Sequence, residues 1–211
     1  MIQLKRYLGY PRKAALILSA AMLLSGSLLV FLGEWQKWSE DQSFGAAQVA
    51  MRQAFGVFPQ DADNPAVSTE ETVDTTRVTG LIESPTIGLS VAVVDYIEYD
   101  DLETAVARMT TSSELGKPGT SVVVGHRTGF GKPFFDIDRL NVGDSINVTL
   151  RDGTELKFAV TLQKIVSPSA DLSEFEDANA ASQLILVTCH PKYSVEERLI
   201  IVAKLLDGGT Q

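Results

Sequence analysis

The chain has 211 residues, of which 45% are hydrophobic and 21% charged, and its formal net charge at pH 7 is -9. This length accommodates one well-buried domain with attachments, but not two large domains. An acidic protein lacks the basic face that binds a phosphate backbone, so we expect no nucleic-acid partner.

A membrane anchor is predicted near the N-terminus. The basic head, residues 1–13, has no acidic residue and contains Lys5, Arg6, Arg12 and Lys13. The uncharged residues 14–33 would rise about 30 Å as a helix, enough to cross a bilayer, and Trp35 and Trp38 follow where aromatic rings favour the interface. A cleaved signal peptide is the alternative, although its apolar region usually has only about 7–15 residues. The basic head predicts a cytoplasmic N-terminus, with residues 34–211 outside the cell.

The segment between the anchor and the folded domain, residues 34–77, is predicted to have two parts. Residues 34–58 have the pattern of a short amphipathic helix that leaves the membrane. Residues 59–77, PQDADNPAVSTEETVDTTR, are polar and acidic and bury too little apolar surface to become ordered, so we interpret them as a spacer. The folded domain then occupies residues 78–211.

Strand patterns dominate residues 78–211. The predicted strands are SVVVGHR, SINVTL, ELKFAV, QLILVTC and RLIIVAKL. Asp152-Gly153, between the second and third of them, is typical of a hairpin turn. Residues 100–109 are predicted as a helix with an aspartate as N-cap, and a second helix is predicted within residues 170–182. Short strands with little helix indicate a mostly β fold that forms a closed or nearly closed barrel.

Three chemically reactive side chains lie at the ends of predicted strands. His126 follows SVVV, Cys189 ends QLILVTC, and Arg198 begins RLIIVAKL. A rigid barrel presents such positions to a cleft. A cysteine near a histidine can react as a thiolate, and an arginine can bind the oxyanion of an acyl-transfer intermediate. Cys189 is the only cysteine in the sequence, so its alternative interpretation is a buried structural thiol without a disulfide partner in its own chain.

These residues lie in motifs that resemble those of a known family. ILVTC with an arginine nine residues later resembles the sortase signature Thr-Leu-X-Thr-Cys followed by Arg, and GHRTGFGKPFFDIDRLNVGDSI resembles the sortase histidine segment. The fuller TCHPKYSVEERLIIVAKL is most similar to class E sortases of actinobacteria, with class D as the nearest alternative. The resemblance covers about residues 80–206. Ile185 departs from the usual threonine, so a hydroxyl is lost while the side chain stays β-branched.

The resemblance implies a closed eight-stranded barrel with one or two short helices after an N-terminal transmembrane helix. It implies a cysteine transpeptidase in which Cys189 is the nucleophile, His126 the general acid/base and Arg198 the oxyanion or substrate clamp. The substrate would be a surface protein with a C-terminal Leu-Pro-X-Thr-Gly signal, or Leu-Ala-X-Thr-Gly for class E, cut between Thr and Gly. The acceptor amine would come from a lipid-linked cell-wall precursor or a pilin, and no metal or organic cofactor would be required.

Three further residues are substrate-binding candidates, and each has a plainer interpretation. Thr188 lines the groove or fills the other face of its strand, Arg127 faces substrate or is a solvated charge, and His190 supports the site or only shapes the loop after the nucleophile. A zinc site built from Cys189, His190 and His126 is disfavoured, because adjacent strand residues are poor joint ligands. The alternative function is a non-catalytic, membrane-tethered β-domain that binds a partner and holds an inert thiol.

Overall fold

Residues 12–54, 75–96 and 101–206 are described in a computed structural model of the chain. The chain divides into two units, residues 1–39 and 40–211. Helix α1, Arg12–Ala54, begins in the first unit and ends in the second. The helical part of the predicted juxtamembrane segment is therefore continuous with the predicted anchor as far as Ala54, while most of the predicted spacer lies outside the described residues.

The N-terminal part of α1 has the composition of a membrane span. Within Leu16–Gln53 this helix contains a stretch long and apolar enough to cross a membrane, and none of that stretch is buried. Large apolar side chains in this part are open to the surroundings, as Leu23 shows at 76% exposure. A helix that is apolar on all sides and unpartnered suits lipid rather than water. This feature supports membrane anchoring.

Eight strands form a closed barrel within the described part of the chain, in the order β1-β2-β3-β4-β7-β8-β6-β5. Their bounds, with that of helix α2, are β1 Val78–Ser84, β2 Leu89–Tyr96, α2 Asp101–Thr104, β3 Val106–Met109, β4 Thr120–Val124, β5 Ser145–Leu150, β6 Glu155–Val166, β7 Gln183–His190 and β8 Glu197–Leu205. Neighbours are antiparallel except for the parallel pairs β2/β3 and β4/β7. The predicted mostly β, closed eight-stranded fold is confirmed.

The predicted hairpin turn joins β5 and β6. Gly153 has a φ of +85°, which a glycine adopts without a steric cost. The Leu150 N–H donates to the Thr154 carbonyl at 2.8 Å, and the Asp152 Oδ1 accepts from the Thr154 N–H at 2.9 Å. A local sequence signal therefore sets the register of the two strands.

Two helix predictions need correction. Within residues 100–109 only Asp101–Thr104 is helical among the described positions, and Val106–Met109 forms strand β3 between β2 and β4. Val106 and Ala107 are fully buried there, so burial in the barrel outweighs the local helical spacing. Within residues 170–182 a 3-10 turn forms at Leu172–Phe175 instead of a longer helix.

The strands β4, β7 and β8 are buried on both faces, which explains why their sequences are continuous apolar runs. Alternate residues of these strands, such as Val123, Leu186 and Ile201, belong to the large cluster inside the barrel. The others form a second cluster, here called the outer apolar face, made of Val122, Ile185, Val187, Ile200 and Val202. The partly buried side chains of Met109, Val124, Val166, Leu172 and Phe175 pack against the outer apolar face.

The last turns of α1 pack on the barrel. Ala47 and Met51 are buried in a third cluster with residues of β2 and of the segment around β3. Gln48 donates to the Thr104 carbonyl at 2.8 Å, and its side-chain oxygen accepts from the Ala92 N–H at 2.7 Å. Residues 40–54 therefore belong to the barrel unit.

Candidate active site

The register of three neighbouring strands brings His126, Cys189 and Arg198 into one row. Cys189 on β7 and Arg198 on β8 are direct partners across the antiparallel pair. In the parallel pair β4/β7, Val124 is the partner of Val187. Two residues further along, β7 reaches Cys189 and the chain beyond the end of β4 reaches His126, and between them the Gly125 N–H donates to the Val187 carbonyl at 3.2 Å. The row therefore crosses the barrel wall from the end of β4, through β7, to the start of β8.

Side-chain alternation puts Cys189 and Arg198 on the same side of the sheet. Side chains of a strand point to opposite faces in turn, so residues two positions apart share a face. Cys189 shares its face with Val187 and Arg198 with Ile200, while His126 lies two residues after Val124, the last residue of β4. These valines and this isoleucine belong to the outer apolar face or pack against it. Cys189 and Arg198 thus stand at one end of that face, and His126 follows the end of the strand next to β7.

The imidazole of His126 is half-buried beneath an aromatic side chain. The His126 and Phe130 ring centroids lie 4.9 Å apart, and the Phe134 N–H donates to the His126 carbonyl at 3.1 Å. Burial lowers the pKa of His126 below its usual 6.5, because a charged ring loses hydration there. The ring is consequently neutral at pH 7 and able to accept a proton.

The guanidinium of Arg198 is held by backbone carbonyls in the turn before β8 and at the first residue of β8. Its Nη1 donates to the carbonyls of Val195 and Glu197, each at 2.9 Å. Among the described residues these bonds use Nη1 only, so the Nε and Nη2 edge can receive an oxygen of a bound substrate. A guanidinium is suited to this role, since it stays charged and carries several N–H donors in a fixed plane.

Arg127 lies behind the row, on the other side of the strand end. Its side chain is only 2% exposed. The Nε donates to the Phe135 carbonyl at 3.0 Å and Nη1 to the Cys189 carbonyl at 3.4 Å, while Nη2 forms an ion pair with Asp138 at 2.9 Å. This arrangement favours support of the nucleophile's backbone over the direct substrate contact predicted from the sequence.

Thr188 and His190 also turn away from the face that carries Cys189. Thr188 is 3% exposed, and its hydroxyl donates to the Gly125 carbonyl at 2.7 Å, which ties β7 to the end of β4. The His190 Nδ1 lies 3.5 Å from the Arg127 Nη1. Because β7 continues through His190, alternation puts both side chains opposite to Cys189. Substrate binding by Thr188 and His190 stays a prediction that this geometry does not favour.

Comparison with known proteins decides the family. The family model described as the Sortase domain matches residues 82–206, more than half of the chain. The chain belongs to the sortase family. Sortase D of Bacillus subtilis (strain 168) is 29% identical over 140 residues, which cover 63% of this chain and 68% of that protein. Membership in this family supports a transpeptidase activity that uses a cysteine.

Solved sortase structures share the barrel. A Clostridium perfringens Sortase D5 transpeptidase superposes with a TM-score of 0.59 at 21% identity, over 78% of this chain and 99% of the other. Sortase E from Streptomyces avermitilis gives a TM-score of 0.55 at 25% identity, over 64% of this chain and 90% of the other. Relatives of class D and class E thus both resemble this sortase.

The sequence patterns did not reveal which side chains flank the row in this sortase. Leu172 and Phe175 reach the outer apolar face from the loop between β6 and β7, and no local pattern predicts where such a loop packs. Lys192, after β7, forms an ion pair with Asp136 at 3.0 Å, and this hydrogen bond holds the pKa of Asp136 below its usual range. Lys192 also lies 3.8 Å above the Phe135 ring. These contacts of Lys192 join the loop after β7 to the loop after β4.

The lowered pKa of His126 predicts a pH dependence of stability. In the range below pH 6.5 the unfolded chain binds a proton at His126 that the native state does not yet bind, so the free energy of unfolding decreases as the pH falls. We expect the Tm of wild type to drop more than that of His126→Phe between about pH 7.5 and about pH 5.5, a range above the titration of ordinary carboxyls. Equal slopes of Tm against pH in the two proteins would contradict this expectation.

Proposed function

We propose that this sortase is a membrane-anchored cysteine transpeptidase in which Cys189 is the nucleophile, His126 the general acid/base and Arg198 the clamp for the oxyanion. The observation that carries the proposal is the row in which Cys189 and Arg198 are partners across β7 and β8 and His126 follows the end of β4, the strand paired with β7. A nucleophile, a proton carrier and a fixed positive charge are the groups that acyl transfer requires.

The reaction has two acyl transfers. The Cys189 sulfur attacks the threonine carbonyl of the sorting signal, and its thiol proton passes to the neutral His126 ring. Arg198 donates hydrogen bonds to the negative oxygen of the tetrahedral intermediate. The carbon–nitrogen bond to glycine then breaks, His126 returns the proton to the leaving amine, and a thioester on Cys189 remains. An imidazolium with a lowered pKa gives up its proton readily, which favours this step.

An amine completes the reaction. It attacks the thioester carbonyl, His126 takes its proton, and the sulfur of Cys189 leaves, to be protonated again. We propose an amine of a lipid-linked cell-wall precursor or of a pilin as the acceptor, with water giving hydrolysis as a side reaction. The substrates are surface proteins with a C-terminal sorting signal, as the family implies.

The membrane segment fits this chemistry. We propose that residues 14–33 cross the membrane once, that residues 1–13 stay in the cytoplasm, and that residues 34–77 connect the anchor to an extracellular catalytic domain at residues 78–211. A tethered enzyme meets membrane-bound substrates and acceptors at a raised effective concentration. A non-catalytic binding domain has less support, because the family match covers the barrel that carries Cys189.

Peptide turnover tests the function and the class together. The full chain in detergent is given matched Leu-Ala-X-Thr-Gly and Leu-Pro-X-Thr-Gly peptides with triglycine as the amine, and products are separated by chromatography. We expect cleavage between Thr and Gly, transfer to triglycine and faster turnover of the alanine signal, as for class E. Preference for the proline signal would overturn the class assignment, and no cleavage of either peptide would contradict the transpeptidase proposal.

A further inference from the structure

The loop after His126 has an unusual backbone. Phe130, Gly131 and Lys132 have φ values of 47°, 68° and 53°. Left-handed conformations are uncommon outside glycine and persist where surrounding contacts hold them. Two of these three residues carry side chains. The loop therefore needs partners that fix it.

Those partners come from the C-terminal part of α1. The Asp41 Oδ1 accepts a hydrogen bond from the Gly131 N–H at 3.1 Å, and its Oδ2 lies 3.0 Å from the Lys132 ammonium. Phe44, 7% exposed and part of the main barrel cluster, packs directly on the loop, so that a Cβ at Gly131 would clash with its ring. Glycine at this position is required both by the backbone and by the closeness of Phe44.

Phe130 connects this contact to the reacting ring. It is the residue before Gly131, it packs against the main cluster, and its ring centroid lies 4.9 Å from that of His126. A shift of Gly131 would move Phe130 and open one side of the imidazole to water. Displacements of about 1 Å at a catalytic group can lower a rate by as much as 10²-fold.

We propose that Asp41 and Phe44 are positioning residues for the transpeptidase reaction: they hold residues 129–132 so that Phe130 packs on His126. The inference rests on the proposed function of His126. The hydrogen bond to the Gly131 N–H carries more of this effect than the ion pair with Lys132, because both charged side chains are about 40% exposed and exposed ion pairs contribute little. A charged acceptor also strengthens a backbone hydrogen bond.

The test compares Asp41→Ala with Asp41→Asn in the full chain. Asparagine retains an oxygen that accepts from the Gly131 N–H, whereas alanine does not. We expect Asp41→Ala to lower kcat for the preferred peptide about 10-fold with KM changed less than about 2-fold, and Asp41→Asn to restore most of kcat. Gln42→Ala, an exposed neighbour on α1, is the matched control and should behave as wild type.

A second measurement does not depend on turnover. The imidazole signal of His126, assigned with a His126→Gln variant, is titrated by NMR in each protein. Asp41→Ala should raise the His126 pKa towards 6.5, because the ring becomes better hydrated, and Asp41→Asn should not. Phe44→Ala, where it folds, should resemble Asp41→Ala. Unchanged kcat and titration in Asp41→Ala, or equal losses in both Asp41 variants, would overturn the proposal. If wild type itself cleaves no peptide, the proposed function fails while the titration still tests the positioning.

Discussion

The Cys189→Ala variant is expected to retain less than about one thousandth of the wild-type rate of peptide cleavage and transfer. Alanine has no atom that can form the thioester, and removal of a covalent nucleophile leaves only the small catalysis due to binding and charge stabilisation. Product formation from the sorting-signal peptide and triglycine is measured by chromatography, with enzyme concentrations high enough to detect residual turnover.

The fold should survive this substitution. Cys189 lies near the end of β7 and is only half-buried, so the loss of one sulfur atom leaves no large cavity. Circular dichroism and Tm provide the control that separates lost chemistry from lost structure. A folded Cys189→Ala protein that still transfers the peptide would contradict the assignment of the nucleophile.

The His126→Ala variant is expected to lose about 10²–10⁴-fold in kcat, the usual contribution of a general acid/base. Without the imidazole, neither the thiol proton nor the proton for the leaving amine has a carrier at the row. The sequence contains a second histidine, His190, which the alternation of β7 directs to the opposite face. It offers a matched comparison, and peptide kinetics of both variants are the measurement.

His190→Ala should lose less than about 10-fold, since the side chain contacts Arg127 rather than the row. Losses of equal size in His126→Ala and His190→Ala would contradict the roles that the strand register assigns. A larger loss in His190→Ala would exchange the two roles.

Strands β4, β7 and β8, which position the row, could be predicted from the sequence, because they are dense in β-branched and apolar residues. Strand β3 could not. Within residues 100–109 the apolar residues are spaced as in a helix. Val106–Met109 nevertheless forms a strand, because it pairs with β2 on one side and with β4 on the other. The pattern of a short segment reports local preference, whereas a barrel closes through pairings between distant segments.

The residues of the site also divide into those that local sequence predicts and those that depend on contacts between distant segments. That neighbouring residues on β7 cannot share a face follows from the alternation of any strand, and it separates Cys189 from Thr188. The burial of Arg127 depends on its ion pair with Asp138 in a 3-10 turn, which no spacing in the sequence reveals. The contact of Asp41 with Gly131 joins positions 90 residues apart, so it too became visible only in the folded chain.

Trapping the acyl-enzyme tests most directly whether the row of His126, Cys189 and Arg198 performs the reaction. The full chain is mixed with the preferred sorting-signal peptide without an amine, quenched in acid, and examined by intact mass spectrometry and peptide mapping. We predict a mass increase equal to the peptide fragment that ends in threonine, located on Cys189 and removed by triglycine. Cleavage of the peptide with no adduct on Cys189, or an adduct on another residue, would contradict the mechanism.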